Sequence, residues 1–572
     1  MAAVAQMSEY RNRNERYDAQ AYLRRLEALK GQRSSFESHW REVSEIMWPH
    51  ADEFQGRAQA ISGYGGGEKR TQKIFDATAA QSLGRFAAIM ESINTPRSKV
   101  WSHIKSEDDE LNKDPSAKRW FEHLTRIFDD ERGKAKANFY GQMHEGYMSL
   151  GAFGGLPLFV GERLDGGLRY RYCHVNELYV EVDFAGRVDT VYRVWFMSAR
   201  QAFQQWGDGA GEKVKQALGA GKPDQRFEFV HVVQPRKDVN PDSFGPDSKP
   251  YLSLYLAAEE QRVIEVGGFE TMRYLYSRWT VAPSEVYERS PGMMAMPHAR
   301  TSNEMVKTGL SAGHRAVNPP LLLPHEGIFG ASSMRVRNVP GGLNPGGLND
   351  RGEEMIKPLV SGMDFRMHEE MLEGERAVTR SWFLVDLFRT ILEDPTHQRT
   401  ATEVLQAAQE KGDLIAPEVG RLQNECLGPE VECVFEILAR QGRIPPPPPV
   451  VVEAGAGYKI EYVSEAARLQ KSRAALGIRN VIDLAVALAP LDPRAAKKVK
   501  LDEALEEIAD YEGAPSRLIR TEEEIDALVA AEQEQQQAAQ QLAMFQAGAS
   551  GAKDATAALQ QAAQAGQIRG AP

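Results

Sequence analysis

The sequence predicts an α+β fold, mostly helical, on three observations. Apolar residues recur at three- and four-residue steps through most of the first 154 positions. Short runs rich in Val, Tyr, Phe and Leu, parted by Gly, Asp and Pro, fill residues 155–280. Beyond five consecutive prolines, Pro445–Pro449, helical periodicity returns almost unbroken. The 572 residues correspond to roughly three to four units of about 150 residues each, and 42% apolar against 26% charged residues supplies ample core.

The first element runs from about Asp18 to Met47. Leu23, Leu26, Leu29, Phe36, Trp40, Val43 and Met47 fall on one stripe, Arg and Glu fill the other, and Pro49 ends it. A glycine cluster (Gly63, Gly65, Gly66, Gly67) reads as a loop. A second helix covers Phe75 to about Ile93, with Leu83, Phe86, Ala87 and Met90 inward; others cover about Ser116–Ala137 and Tyr140 to before Gly154. Then come LPLFV, LRYRYCH, ELYVEV, VYRVWF, FEFVHVV, YLSLYL and RVIEV, the pattern of a mainly antiparallel sheet interrupted by one helix at about Ser198–Trp206.

A helix is expected from about Ala295 to Val317, then a Gly/Pro-rich stretch from Asn318 to Gly362 with short strands only near Leu321–Leu323 and Met334–Asn338. Gly362–Phe388 reads as a helix of 27 residues, roughly 40 Å long. Its Trp382, Phe383, Leu384, Val385, Leu387 and Phe388 are too apolar for open water and predict packing against another helix or subunit. After a break at ILEDPTHQ, Thr400 and Glu403 form a capping box that opens a helix running, with an interruption near Pro417, to about Gln441. Pro445–Pro449 make a stiff extended linker. Residues 464–546 read as helices, with a second capping box at Thr521–Glu524, and the last 25 residues are small and polar.

Composition excludes several classes. Sixty-nine Lys and Arg against 80 Asp and Glu leave a net charge of −11, unlike a protein that grips phosphates over its whole surface. Three cysteines (Cys173, Cys426, Cys433) build neither a disulfide framework nor a four-thiolate zinc site, and a reducing compartment fits them. Cys426 and Cys433, seven apart, share a helix face and read as core. Cys173 and His174 are neighbours on a strand and point to opposite faces, so no shared metal site is expected; the acidic run Glu107–Glu110 reads as a solvated loop. No phosphate-binding loop, zinc-protease helix or nucleophile elbow occurs, since GAGKP at 219–223 lacks the hydroxyl for Mg²⁺. A non-enzyme without metal or cofactor is expected. No run approaches the ~18 apolar residues of a membrane span, and the polar start argues against a secretory signal, so a soluble chain, intracellular when made, is expected.

Five segments, in this order, resemble the portal (head-to-tail connector) proteins of short-tailed bacteriophages. They are ESHWREVSEIMWPH (37–50), KIFDATAAQSLGRFAAIMESINTPRSKVWSHI (73–104), YGQMHEGYMSLGAFGGLPLFVGE (140–162), QRTATEVLQAAQE (398–410) and RTEEEIDALVAAEQEQQQAAQQ (520–541). The resemblance spans about residues 20–545 and implies a ring of twelve copies at one capsid vertex. It implies a wing (1–290), stem helix 1 (291–317), a clip (318–361), stem helix 2 (362–388), a channel loop (389–399), a long wing helix (400–441), a crown (442–520) and a C-terminal barrel helix with a flexible tail (521–572). The partners implied are double-stranded DNA without sequence preference, the terminase large subunit, a tail adaptor, and the major capsid and scaffolding proteins, with no membrane; the location implied is the virion, after assembly in the host cytoplasm. Another structural ring, such as a tail adaptor, is the alternative.

Within that frame, residues can be given roles. DNA presents one charge per ~1.7 Å, so a lining basic throughout would hold it, whereas a narrow basic ring lets it pass. Arg389, His397, Gln398 and Arg399 are the candidates for that ring, or else a plain interhelical loop. Glu369, Glu373, Arg376 and Arg380 fall on one helix face and either line the channel with mixed charge or pair with one another. In the clip, Arg335, Arg337 and Asn338 sit on an expected strand, facing terminase or adaptor or else forming a surface hairpin. The Gln-rich helix from Thr521 to about Phe545 is either a barrel of copies or a solvated helix.

Overall fold

A computed structural model describes residues 16–51, 54, 70–163, 165–240, 242, 245–322, 336–337, 339–344, 347–348, 350–359, 364–386, 415–455, 457–462, 465–488, 499–512 and 524–537. They divide into two units: Met1–His103 with Leu124–Pro446 and Ile460–Ala467, and Ile104–His123 with Pro447–Lys459 and Arg468–Pro572.

Helix α1 (Ala19–Met47) starts where the Asp18 carboxylate accepts the amide of Gln20. Leu26, Leu29, Trp40, Val43 and Met47 of the expected stripe are buried. Arg33 shares that stripe and is fully buried as well. Its guanidinium donates to the carbonyls of Val175, Asn176 and Leu178, pairs with Glu37 at 2.6 Å and lies 3.6 Å over the Tyr179 ring. Those partners satisfy a charge whose burial would otherwise be costly. Helix α2 (Thr78–Asn94) buries Leu83, Phe86, Ala87 and Met90 as the spacing predicts. Strand β1 (Ser102–Ser106), helix α3 (Pro115–Gly133) and helix α4 (Phe139–Ala152) follow.

Two antiparallel sheets come next. Strands β2 (Gly155–Glu162) and β3 (Leu168–Tyr172) pair as a hairpin. Strands β4 (Leu178–Val182) and β5 (Val188–Ser198) lead to α5 (Ala199–Trp206), where Ser198 and Gln201 form a capping box, and to α6 (Glu212–Gly219). Strands β6 (Arg226–Pro235), β7 (Tyr251–Ala257) and β8 (Arg262–Phe269) complete a five-stranded meander in sequential order from β4 to β8. Strand β9 (Tyr274–Arg278) returns to the other side of β2, giving the order β3-β2-β9. The meander is covered on both faces. Val230 and Val232 pack with Leu26 and Leu29 of α1, while Phe227 and Phe229 pack with Ala199, Ala202, Val214 and Ala217 of α5 and α6.

Strands β1 and β9 and helix α6 are additions to the sequence reading. All five residues of β9 are buried, so no apolar–polar alternation marks it. Helix α6 is short and buries only Val214 and Ala217.

The remaining elements are α7 (Pro291–Val317), β10 (Leu321–Leu322), β11 (Lys357–Pro358), α8 (Phe365–Trp382), α9 (Gly428–Arg440), α10 (Pro449–Ala454), β12 (Tyr458–Tyr462), α11 (Glu465–Leu488) and α12 (Leu501–Glu512). Residues 415–422 and 524–537 are also helical. A π-turn at Gln423–Leu427 precedes α9, with the Gly428 amide donating to Gln423. Pro429 next in line has no amide to donate, which disturbs the α-helical ladder there. Residues 445–448 belong to no helix or strand, Pro448 is extended, and Pro449 opens α10. The capping box at Thr400–Glu403 and all of Thr521–Glu524 except Glu524 lie outside the described residues.

Helix α9 is anchored by a buried charge cluster. Arg132, 2% exposed, makes a two-pronged pair with the fully buried Glu430 at 3.0 and 2.5 Å. Glu430 also accepts from Tyr170, and Arg132 from above contacts the Trp101 ring at 4.5 Å. Arg273–Glu436 at 2.7 Å and Arg278–Glu425 at 2.6 Å add two more bonds from β9 and its flank to this helical segment. Cys426 and Cys433 are buried on that segment and Cys173 is buried at the end of β3. Burial pushes the thiols of Cys433 and Cys173 up, to about 12 and about 11, so packing and not thiolate chemistry is their role.

Candidate functional site

Helices α7 and α8 are antiparallel neighbours that carry the Gly/Pro-rich segment between them. Helix α7 is fixed at its root. The Ser290 hydroxyl accepts the amide of Met293 and donates to the carbonyl of Ala152, both at 2.8 Å, and Pro291 occupies the first turn, where its missing amide costs nothing. Just before it, Glu288 is fully buried, its Oε1 accepting from the Tyr276 hydroxyl at 2.9 Å. Burial raises that carboxyl to about 8. Gly154, at φ +94°, and Gly155 pass so close to Glu288 that a Cβ on either would collide with it.

At the far end, β10 and β11 pair antiparallel (Leu321 with Pro358, Leu322 with Lys357), and the Leu359 amide reaches the Pro320 carbonyl at 2.8 Å. The two rods therefore join through a short ladder that closes the base of the tip. Of the residues expected there, Arg335 and Asn338 lie outside the described residues. Arg337 is exposed, and neither it nor Val336 belongs to a strand, so the expected strand at Met334–Asn338 is corrected at those two positions. The reason is local: the Asn344 amide binds both the N–H (2.7 Å) and the C=O (3.2 Å) of Arg337, which closes a turn and leaves neither group for a ladder. A second turn, Val339–Gly342, has Gly341 at φ +74°, a conformation that favours glycine.

Helix α8 is shorter than expected. Asp364 caps it by accepting the amides of Arg366 and Met367, and it ends at Trp382, 18 residues or roughly 27 Å later. Leu384 then adopts a left-handed backbone (φ +59°) that breaks the helix. Phe383 is fully buried against Phe86 of α2 and Val385 is buried, as their apolar character predicts, whereas Trp382 is 40% exposed. Leu387 and Phe388 lie outside the described residues.

The charged face of α8 holds three of its four members in pairs. Arg380 bonds Glu373 at 2.7 Å, Arg376 is 3.9 Å from Glu373, and Glu369 is exposed. Arg376 also reaches across to α2, its Nε 3.1 Å from Asp76 Oδ2. Asp76 simultaneously accepts from the amide and hydroxyl of Thr78, the first residue of α2, at 3.1 and 2.8 Å. Burial acts to raise the Asp76 carboxyl, but the hydrogen bonds from Arg376 and Thr78 outweigh it and hold the group below the usual carboxylate range. From α7, the Asn303 side chain accepts the amides of Phe75 and Asp76 and donates to the carbonyl of Lys73. Segment 73–78 is thus clamped by both rods. His298 of α7 and Glu375 of α8 join the rods directly at 2.7 Å.

Asp76, Asn303, His298 and Glu375 escaped the sequence reading. Asp76-Ala-Thr78 ahead of an apolar stripe is a local turn pattern, an Asp that accepts the amide two residues on; the other three are marked by nothing local. Arg389, His397, Gln398 and Arg399 lie outside the described residues. Among the described residues there is no group of His, Cys, Asp or Glu placed to hold a metal ion, and no helix long and apolar enough to cross a membrane.

A rod, a tip and a returning rod on an α+β body give an architecture to compare with known families. The model of the bacteriophage head to tail connecting protein family matches residues 19–519. This chain belongs to that family. The match begins at the first residue of α1 and takes in both rods and the tip. Among curated relatives, the connector chain is 28% identical over 543 residues to the probable portal protein of Bordetella phage BPP-1, covering 94% of this chain and 95% of the relative. It is 29% identical over 539 residues to the portal protein of Salmonella phage epsilon15, covering 93% and 94%. Both relatives are therefore matched nearly end to end, and the resemblance to phage portal proteins extends well past the five segments that first suggested it.

Proposed function

We propose that this connector chain is a portal subunit: twelve copies form a ring at one capsid vertex, through which double-stranded DNA enters during packaging and leaves on ejection. The observation that carries the reading is the hairpin of α7 and α8, closed by the β10–β11 ladder at the base of the segment between them. Repeated about an axis, such hairpins make a tube with a rim of tips. In this reading residues 1–290 and 400–441 are the wing, 291–317 and 362–388 the stem, 318–361 the clip, 389–399 the channel loop, 442–520 the crown and 521–572 a barrel helix and tail.

The clip, with Arg337 exposed on a glycine-rich turn, is the docking rim for the terminase large subunit and later the tail adaptor. Arg389, His397, Gln398 and Arg399 supply phosphate contacts without reading sequence, a mode suited to a genome that moves past. Glu369, Glu373, Arg376 and Arg380 give the stem a mixed-charge surface, with Arg376 doubling as the clamp on Asp76. Capsid and scaffolding proteins contact the wing, and the chain acts as a structural virion component with no catalysis of its own. Mass measurement of the purified assembly, with negative-stain images, tests this: about a dozen copies in turbine-shaped rings with a central hole are expected, and a stable monomer or dimer overturns it.

A further inference from the structure

Helix α8 presents an unpartnered apolar seam. Met367, Met371, Val378 and Trp382 are 60%, 56%, 37% and 40% exposed, and Gly374 between them has open space where a Cβ would stand. Their spacing of four, three, four and four residues puts them on one stripe about 22 Å long, the pattern of a helix that packs against another. The seam is distinct from the face toward α7, which carries His368 and Glu375, and from the buried Leu372 and Thr379.

The outer face of α7 differs in kind. Pro297, Thr301, Glu304, Thr308 and Ser311 are exposed at helical spacing, all but one small. The contacts between the rods fix their relative heights. Gly309 faces His368, where an added Cβ would come within 2.9 Å of the imidazole, and His298 meets Glu375. Thr301 therefore stands level with Gly374, and Thr308 level with Met367.

We infer that the α8 seam is covered by the outer face of α7 from a second copy, in register, so that Met367 meets Thr308 and Met371 sits over Glu304 and Thr308 of its neighbour. Met367 thereby meets a small side chain, and the open space beside Gly374 stands level with Thr301. Two unlike surfaces at one height on a single chain make a head-to-tail contact, which closes into a ring when the rotation permits. The inference rests on the ring reading above and adds to it the surfaces that join neighbours.

Cysteine pairing tests it on the full-length chain, because all three native cysteines are buried. Under mild oxidation, Met367→Cys with Thr308→Cys should give a ladder of multiples of the monomer mass on a denaturing, non-reducing gel. Met367→Cys with Thr301→Cys, about 10 Å out of register along the rod, should not, since a disulfide needs Cα atoms within about 7 Å. Rings of the expected mass with no ladder, or with a bond formed only inside one chain, overturn the contact and leave the ring standing. Absence of rings in the unmodified protein overturns both. A second variant, Met371→Glu, should shift the mass from ring to folded monomer with an unchanged circular dichroism spectrum; rings persisting with this change also overturn the contact.

Discussion

Arg376 of α8 lies 3.1 Å from Asp76, just ahead of α2, and Asp76 is only 5% exposed while it also accepts the amide of Thr78. One carboxylate thus ties a rod to the body and to the first residue of the helix behind it.

Replacing Asp76 by Ala should lower stability by about 1–3 kcal/mol, because Arg376 loses its hydrogen-bonded carboxylate and the Thr78 amide its acceptor. Arg376→Met should cost less, because Thr78 keeps its acceptor. Since the folded carboxyl lies below its ordinary range, its contribution is present above the unfolded pKa and fades as pH falls through the folded one. Denaturant midpoints from neutral pH into the acid range check this; an Asp76→Ala variant as acid-sensitive as the parent contradicts it.

Glu288 works with the opposite sign. Its carboxyl is raised to about 8 by burial, with Tyr276 donating to it, so the folded chain keeps a proton that the unfolded chain loses near pH 4.5. Stability should therefore decline as pH rises from about 4.5 to about 8 and then level off. Glu288→Gln, which keeps the shape without the titration, should flatten that decline in thermal melts across the window.

The Arg132–Glu430 pair should show the asymmetry of buried charges. Glu430→Gln leaves Arg132 buried beside Trp101 without its counter-charge and should cost about 3–5 kcal/mol. In a separate cycle, the paired change Arg132→Met with Glu430→Met should cost less than Arg132→Met and Glu430→Met added together. Unfolding curves for the four proteins of this cycle decide it.

Charge reversal at Arg389 and Arg399 should leave ring mass unchanged but reduce DNA retention, and the loss should shrink as salt rises, because screened phosphate contacts matter less. Packaged DNA measured at two ionic strengths is the readout. Unchanged retention removes these residues from the channel.

Deleting 340–349 should abolish terminase binding and leave ring assembly intact, as the β10–β11 ladder lies outside the deletion. Co-sedimentation of terminase with the rings checks this; binding at parental strength reassigns the docking rim.

Local pattern alone set the helices with wide apolar stripes, the strands of the meander and the placement of a tip between two rods. In each case the signal is periodic and repeated, as in Leu83, Phe86, Ala87 and Met90 of α2. Strand β9 was hidden because burial on both faces erases alternation, and the end of α8 was hidden because a left-handed Leu384 follows residues that would all suit a helix. Arg33, Asn303 and Glu430 look like surface residues in the chain; only packing shows that they are buried and matched to partners between about 140 and 300 positions away. Periodicity reports what each segment does with water. Which polar groups meet after the segments pack depends on distances the linear order does not encode locally, and that was settled by the tertiary structure.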